Sequence, residues 1–242
     1  MSRRAQLAFA AMGFVMPVLA LVGLFGGRAL PPPAAHHTAA WFFDHYRHDV
    51  TLRRVGLYVG MFGMSLIAPI VVVIGLQLRR IDGVRPGWTW LQLIAGCGTF
   101  IFTQLPMLIL IVASYRPGRS PEITQTLNDL GYVLFLTDVP PFVLQNIAIA
   151  FAVLGDRGAR RVYPRWVGYF NLWVAASFVP ATLIGFFKFG PFAVHGLLSF
   201  WIPTFIYGLW SMVMGYATWQ AITTDPDAEA IPSHTVAEVV HA

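Results

Sequence analysis

Six stretches of this sequence are each long and apolar enough to cross a lipid bilayer, and this feature limits the fold more than any other. A membrane-spanning helix needs about 20 mainly apolar residues. The sequence therefore predicts an all-α fold, a polytopic integral membrane bundle of six transmembrane helices. The six stretches cover residues 5–27, 55–78, 88–114, 130–154, 166–188 and 192–221. Only the fourth carries a charged residue near its middle, Asp138.

The composition agrees with lipid as the main surroundings of the side chains. Hydrophobic residues make up 57% of the 242 residues and charged residues 11%, whereas a soluble domain carries about 25% charged residues. The single cysteine, Cys97, excludes an intrachain disulfide and a cysteine-based metal site. The net charge of +5 is spread over loops, and no basic cluster is interleaved with exposed aromatic residues. The sequence therefore indicates no nucleic-acid partner.

The first apolar stretch has two interpretations. The basic start "MSRR" is typical of a secretory signal peptide. The apolar stretch that follows is longer than the roughly 7–15 residues of a signal peptide's core, and no small-x-small cleavage pattern comes after it. We therefore expect a retained membrane helix.

The arginines indicate an orientation, because cytoplasmic loops carry more Lys and Arg than external ones. If the N-terminus is cytoplasmic, nine basic residues face the cytoplasm and seven face outward. The nine are Arg3, Arg4, Arg79, Arg80, Arg85, Arg157, Arg160, Arg161 and Arg165. We expect both termini in the cytoplasm, one transmembrane domain over residues 1–222 and a flexible polar tail over 223–242.

Every predicted helix contains a proline near its middle. The prolines are Pro17, Pro69, Pro106, the pair Pro140–Pro141, Pro180 and Pro203. Each one leaves a backbone carbonyl without its usual donor and tends to kink the helix. In lipid that carbonyl needs another partner, such as a hydroxyl or water. Kinks at similar depth predict a central cavity, although proline is common in membrane helices in general.

The segment "FLTDVPPFVLQNIAIAF" contains the most costly side chain in the sequence. Asp138 lies inside a predicted membrane helix, where an ionised carboxylate must be paired, solvated or protonated. Two partners are predicted at the same depth, Lys188 and His195. Gln145 follows seven residues after Asp138, on the same helix face, and Asn146 lies beside it.

We interpret these five residues as a ligand-binding site, with an ion pair that locks three helices together as the structural alternative. Asp138 would set the charge, and the two amides would orient the ligand. Lys188 or His195 would pair with the carboxylate.

The segment "WFFDHYRHDV", residues 41–50, carries side chains that bind metals. Asp44 and His48 are four residues apart, as are His45 and Asp49. On a helix these spacings place the side chains on one face. Imidazole with carboxylate suits zinc or copper, and it also suits general base chemistry.

The alternative is a short helix over residues 39–50 that lies in the lipid headgroup layer. Thr38 would be its N-cap. Its aromatic residues would enter lipid, and its histidines and aspartates would face water.

The segment "RRVYPRWVGYFNLW", residues 160–173, resembles a segment of bacterial six-helix membrane proteins of unassigned activity. In them, a Pro-Arg-Trp-x-Gly run opens a helix at the cytoplasmic face. The resemblance covers only these residues. It implies a bacterial inner membrane and no particular activity.

The leading functional hypothesis is a membrane protein that binds or passes a small apolar or amphipathic molecule in the outer half of the bundle. One alternative is a membrane enzyme, or a subunit of one, with a metal or acid–base site at the outer surface. Another is a non-catalytic assembly partner, in contact with a membrane protein or with further copies of itself. No cofactor is expected beyond zinc or copper, and membrane lipid is the expected surrounding partner.

Overall fold

The structure is a computed structural model, and it describes residues 1–81 and 86–224. Within these residues the regular elements are nine α-helices, a 3-10 segment and a π turn. The helices are α1 Arg3–Gly26, α2 Ala39–Arg47, α3 Val50–Ser65, α4 Ile67–Leu78, α5 Pro86–Tyr115, α6 Pro121–Thr137, α7 Val139–Leu154, α8 Arg165–Phe178 and α9 Ile202–Thr223. The 3-10 segment, Val179–Gly185, continues α8, and the π turn, Leu197–Trp201, precedes α9.

Among the described residues, six helical spans are long and apolar enough to cross a membrane, so the predicted six-helix bundle is confirmed. The chain is a multi-pass membrane protein. No strand occurs in the part of the chain that the structure describes. The spans are Arg3–Gly26, Val50–Leu78, Gly87–Tyr115, Pro121–Leu154, Arg165–Gly185 and Leu197–Thr223.

Several predicted boundaries were wrong at the ends of the spans. The fourth span begins at Pro121, not at about residue 130, because Pro121 and Ser120 open a polar helical extension ahead of the apolar stretch. The sixth begins at Leu197, not at 192, since residues 186–196 form a non-helical connection. Residues 225–242 of the predicted tail over 223–242 lie outside the described part of the chain.

Both ends of the described chain lie at one end of the bundle, as an even number of spans requires. The Arg3 guanidinium donates a 3.2 Å hydrogen bond to the carbonyl oxygen of Thr223. We call this end the terminal face. The opposite end, the loop face, carries residues 27–49, 116–120 and 186–196.

Glycines bring α1 into direct backbone contact with two neighbours. A Cβ atom built on Gly23 would lie 2.3 Å from the backbone nitrogen of Gly60, and one on Gly56 would lie 2.2 Å from the Cα of Gly27. One on Gly13 would lie 2.9 Å from the Cα of Gly215. Gly56 and Gly60 therefore belong to a close contact between α1 and α3, the kind that small residues permit in membranes.

The short helix α2 forms where expected, but its surroundings differ from the prediction. The backbone N–H of Trp41 donates to the Thr38 hydroxyl at 3.3 Å, so Thr38 is the N-cap. Phe42 and Tyr46 are fully buried, in a cluster with Ala113, because α2 packs against α6. The prediction that these aromatic residues enter lipid was wrong for both.

Candidate functional site: a cavity where four spans are interrupted

Asp138 occupies the break between α6 and α7, with backbone angles φ −69° and ψ 38°. The local sequence explains the break. Pro140 and Pro141 have no backbone N–H, so the carbonyls of Leu136 and Thr137 have no donor four residues ahead. The predicted single helix over 130–154 is thus two helices, joined at the acid.

Interruptions in four of the six spans meet at one cavity. The second span breaks between α3 and α4 at Leu66, three residues before Pro69. The fourth span breaks at Asp138. The fifth changes to a 3-10 helix after Phe178, and the sixth starts as a π turn before Pro203. By contrast, α1 and α5 run through Pro17 and Pro106 without a break.

The cavity has a volume of about 80 Å³, enough for several water molecules. Its wall includes a residue at, or within two positions of, each of the four interruptions. The lining residues are Met64, Thr99, Thr103, Phe135, Leu136, Asp138, Val139, Phe142, Phe178, Pro203, Thr204 and Tyr207. A cavity therefore lies between these spans.

Two polar atoms of this wall are buried without a hydrogen-bond partner in the described part of the chain. They are Oδ1 of Asp138 and the hydroxyl of Tyr207. An unsatisfied buried polar group costs about 1–3 kcal/mol, and more when it is charged. A bound molecule or ordered water would remove this cost.

Two of the three threonines of the wall, Thr99 and Thr103, use their hydrogens elsewhere. The Thr103 hydroxyl donates to the Phe100 carbonyl at 2.9 Å. The Thr99 hydroxyl lies 3.2 Å from the Ala95 carbonyl and 3.3 Å from Oε1 of Gln145. Their oxygen lone pairs therefore remain as acceptors for the cavity.

Aromatic rings close one side of the cavity. The ring centroid of Phe142 lies 4.7 Å from that of Phe178 and 5.0 Å from that of Tyr207. Phe142 also meets Trp210 edge to face at 4.9 Å, and the Trp210 indole N–H donates to Oδ1 of Asn171 at 3.0 Å. These contacts hold the aromatic wall in place from behind.

The two predicted amides lie behind the wall. Gln145 and Asn146 are fully buried, but neither lines the cavity, because the break at Asp138 removes the continuous helix face that the spacing assumed. Gln145 reaches the cavity only through Thr99. Asn146 donates to the Phe142 carbonyl at 2.8 Å and so supports the ring that does line it.

The predicted ion pair of Asp138 was wrong. Within residues 1–81 and 86–224, neither Lys188 nor His195 forms a salt bridge or hydrogen bond with Asp138. Lys188 is exposed in the connection over 186–196. His195 is partly buried in the same connection, where its ring lies 6.3 Å from that of His36. Both residues belong to the loop face, because the fifth span ends at Gly185.

The four predicted metal ligands do not converge. Asp49 pairs with Arg28, and Nδ1–H of His48 donates to the Asp44 carbonyl at 2.7 Å. Nε2 of His45 lies 3.0 Å from the Arg53 guanidinium, which occupies its lone pair. The described residues contain no group of three or more His, Cys, Asp or Glu that could hold a metal ion.

A stack of aromatic rings crosses the loop face instead. Trp41 lies between His37, at 3.8 Å, and His45, at 4.6 Å, with all three rings nearly parallel. Burial, followed by the charge of Arg53, lowers the pKa of His45 to about 4. His45 is therefore neutral at physiological pH and belongs to the packing of the loop face.

Comparison of the chain with protein-family models, with curated proteins and with solved structures returns no match.

Sequence reasoning missed two groups of the cavity wall. Thr99 lies four residues before Thr103, and Tyr207 lies four residues after Pro203, so each pair shares a helix face. That spacing was visible in the sequence. The sequence does not show which of the several polar helix faces line one cavity, because that depends on how the helices pack.

Proposed function

We propose that this protein binds a small amphipathic molecule in the cavity at Asp138, or passes such a molecule through it. The site differs from the first expectation in its partners. The charge comes from Asp138, and the hydroxyls of Thr99, Thr103 and Tyr207 accompany it in place of Lys188 and His195.

The observation that carries this proposal is the convergence of four interrupted spans on one partly buried acid, whose Oδ1 has no hydrogen-bond partner among the described residues. Interrupted helices expose backbone groups within a membrane, which is costly unless those groups serve a cavity. Discontinuous helices of this kind commonly form the substrate and ion sites of transporters. A bundle needed only for structure would avoid both the breaks and the orphan carboxylate.

We further propose that the protein lies in the inner membrane of a bacterium with both termini in the cytoplasm. The arginine distribution along the sequence supports this orientation, and the terminal face carries most of the arginines assigned to the cytoplasm. The loop face would then be on the outer side of the membrane.

Ligand-observed NMR on the purified protein tests the proposal with three small probes, propylammonium, propan-1-ol and propanoate. Saturation transfer to at least one probe is expected. Thr204→Phe, which adds a ring at the cavity wall, should remove that transfer. Thr182→Phe makes the same change at an exposed threonine and should leave it intact.

Absence of transfer to all three probes would overturn the proposal, as would equal transfer in both variants. A probe that binds to the lipid-facing surface or to detergent would give equal transfer in both variants.

A further inference from the structure

We infer that the molecule bound at this cavity is a small protonated amine, an inference that rests on the proposed function and names its ligand class. In the cavity wall, the carboxylate of Asp138 and the hydroxyls of Thr99 and Thr103 offer acceptors only, while the hydroxyls of Thr204 and Tyr207 can donate or accept. A ligand with N–H donors and a positive charge is the complement of such a wall.

The hydroxyl groups supply the first step. Both Thr99 and Thr103 direct their hydrogens to carbonyl groups of α5 or to Gln145. Only their lone pairs remain for a ligand. The oxygens of a carboxylate or phosphate ligand would face these lone pairs and would gain no hydrogen bond from either threonine.

The end of α6 supplies the second step. The C-terminal end of a helix carries partial negative charge, and α6 ends at Thr137, next to Asp138. The carbonyls of Leu136 and Thr137 cannot receive a hydrogen bond from Pro140 and Pro141. Asp138 is also the N-cap of α7, whose N-terminal end carries partial positive charge. The two helix ends therefore offset each other, and the negative potential at this place comes from the carboxylate and from the two carbonyls.

No cation in the described part of the chain lies close enough to pair with this carboxylate. In the described ranges, Asp138 has no basic side chain within ion-pair distance, and its Oδ1 is buried. A charge at this depth needs a partner. A bound cation would provide one, and an N⁺–H···O⁻ hydrogen bond is among the stronger ones available.

The rest of the wall indicates that the cation is organic. Phe142, Phe178 and Tyr207 form an aromatic side, and the faces of such rings attract ammonium groups. Met64, Leu136 and Val139 add apolar surface. A bare metal ion would need a shell of oxygens where these side chains stand, whereas an alkylammonium group presents a charged end and an apolar end.

The three probes named above differ in charge at nearly constant size, and so they test this inference without any mutation. At pH 7 propylammonium is a cation, propan-1-ol is neutral and propanoate is an anion. We expect propylammonium to bind the wild-type protein at least tenfold more tightly than the other two. For a ligand of four non-hydrogen atoms, Kd is no tighter than about 40 µM, so titrations extend into the millimolar range.

Two substitutions then assign the charge. Asp138→Asn keeps the shape of the side chain and should weaken propylammonium binding at least tenfold while leaving propan-1-ol binding within twofold. Asp129→Asn is the matched control, since Asp129 lies in the same span but is exposed. It should change neither value.

The results separate the inference from the proposed function. If propan-1-ol or propanoate binds as tightly as propylammonium, and Thr204→Phe still removes binding, the cavity is a binding site but the amine assignment is wrong. Unchanged propylammonium binding in Asp138→Asn would also overturn the assignment. Sodium chloride that displaces propylammonium more effectively than choline chloride would identify an inorganic cation instead.

Discussion

The hydroxyl of Ser211 lies 3.1 Å from the carbonyl oxygen of Gly13, the residue four positions before Pro17. Pro17 has no N–H, so this carbonyl lacks its donor within α1. A side chain from α9 supplies the donor, as the membrane environment requires. The same hydroxyl is 2.8 Å from the Gly208 carbonyl, so its hydrogen is shared between the two acceptors.

This relationship predicts a coupling between two substitutions. Ser211→Ala should lower the free energy of unfolding by about 1 kcal/mol, because it leaves the buried Gly13 carbonyl unsatisfied. In a Pro17→Ala background the new N–H serves that carbonyl, and the same change should cost less than half as much. Unfolding in mixed micelles, measured as a double-mutant cycle, gives the coupling. Equal costs in both backgrounds would show that the hydroxyl does not compensate for the proline.

The contact between α1 and α3 predicts opposite results at two glycines of one helix. A Cβ on Gly23 would lie 2.3 Å from the Gly60 nitrogen, whereas one on Gly26 would meet nothing within 4 Å. Gly23→Ala should therefore separate the helices and lower the melting temperature by several degrees. Gly26→Ala should be neutral or stabilising, because alanine favours a helix over glycine. Thermal unfolding of the two variants provides the comparison, and a similar loss in both would contradict the packing.

The sequence sufficed to predict the spans because lipid imposes a length and a composition on each of them. It also predicted the acid at the site, since Asp138 is conspicuous in an apolar stretch. The partners of Asp138 were mispredicted for a physical reason. A helical face over 138–145 assumes continuous helix, and Pro140–Pro141 interrupts it. Lys188 was expected beside the acid because of its predicted depth alone. The fifth span ends at Gly185, so Lys188 lies in the connection over 186–196.

The histidine stack predicts a pH dependence with a definite sign. The pKa of His45 is lowered by burial and by Arg53 to about 4, below its ordinary value of 6.5. Between these values the unfolded chain binds a proton that the folded chain does not, so stability rises with pH. The contribution is complete above pH 6.5 and is lost as the pH falls toward 4. Solvent screening limits it to the order of 1 kcal/mol, because His45 is only partly buried.

Two glutamine variants measure this contribution. His45→Gln should flatten the dependence of the free energy of unfolding on pH between about 4 and 6.5. His48→Gln should preserve it, since His48 is exposed on the same loop face. If His48→Gln flattens the curve and His45→Gln does not, the dependence has been assigned to the wrong imidazole.

The connection between α7 and α8 depends on Asp156, which is buried at the terminal face with 4% exposure. Its Oδ1 accepts from the backbone N–H of Gly158 at 2.9 Å, and its Oδ2 accepts from that of Val162 at 3.1 Å. Asp156→Asn keeps one acceptor oxygen and replaces the other with a donor. One N–H then faces an NH₂ group, which should lower the free energy of unfolding by about 1–3 kcal/mol. Amide hydrogen exchange should accelerate at Gly158 or Val162. Asp44→Asn, at an exposed position, is the control, and unchanged exchange at both amides would show that the carboxylate does not order this connection.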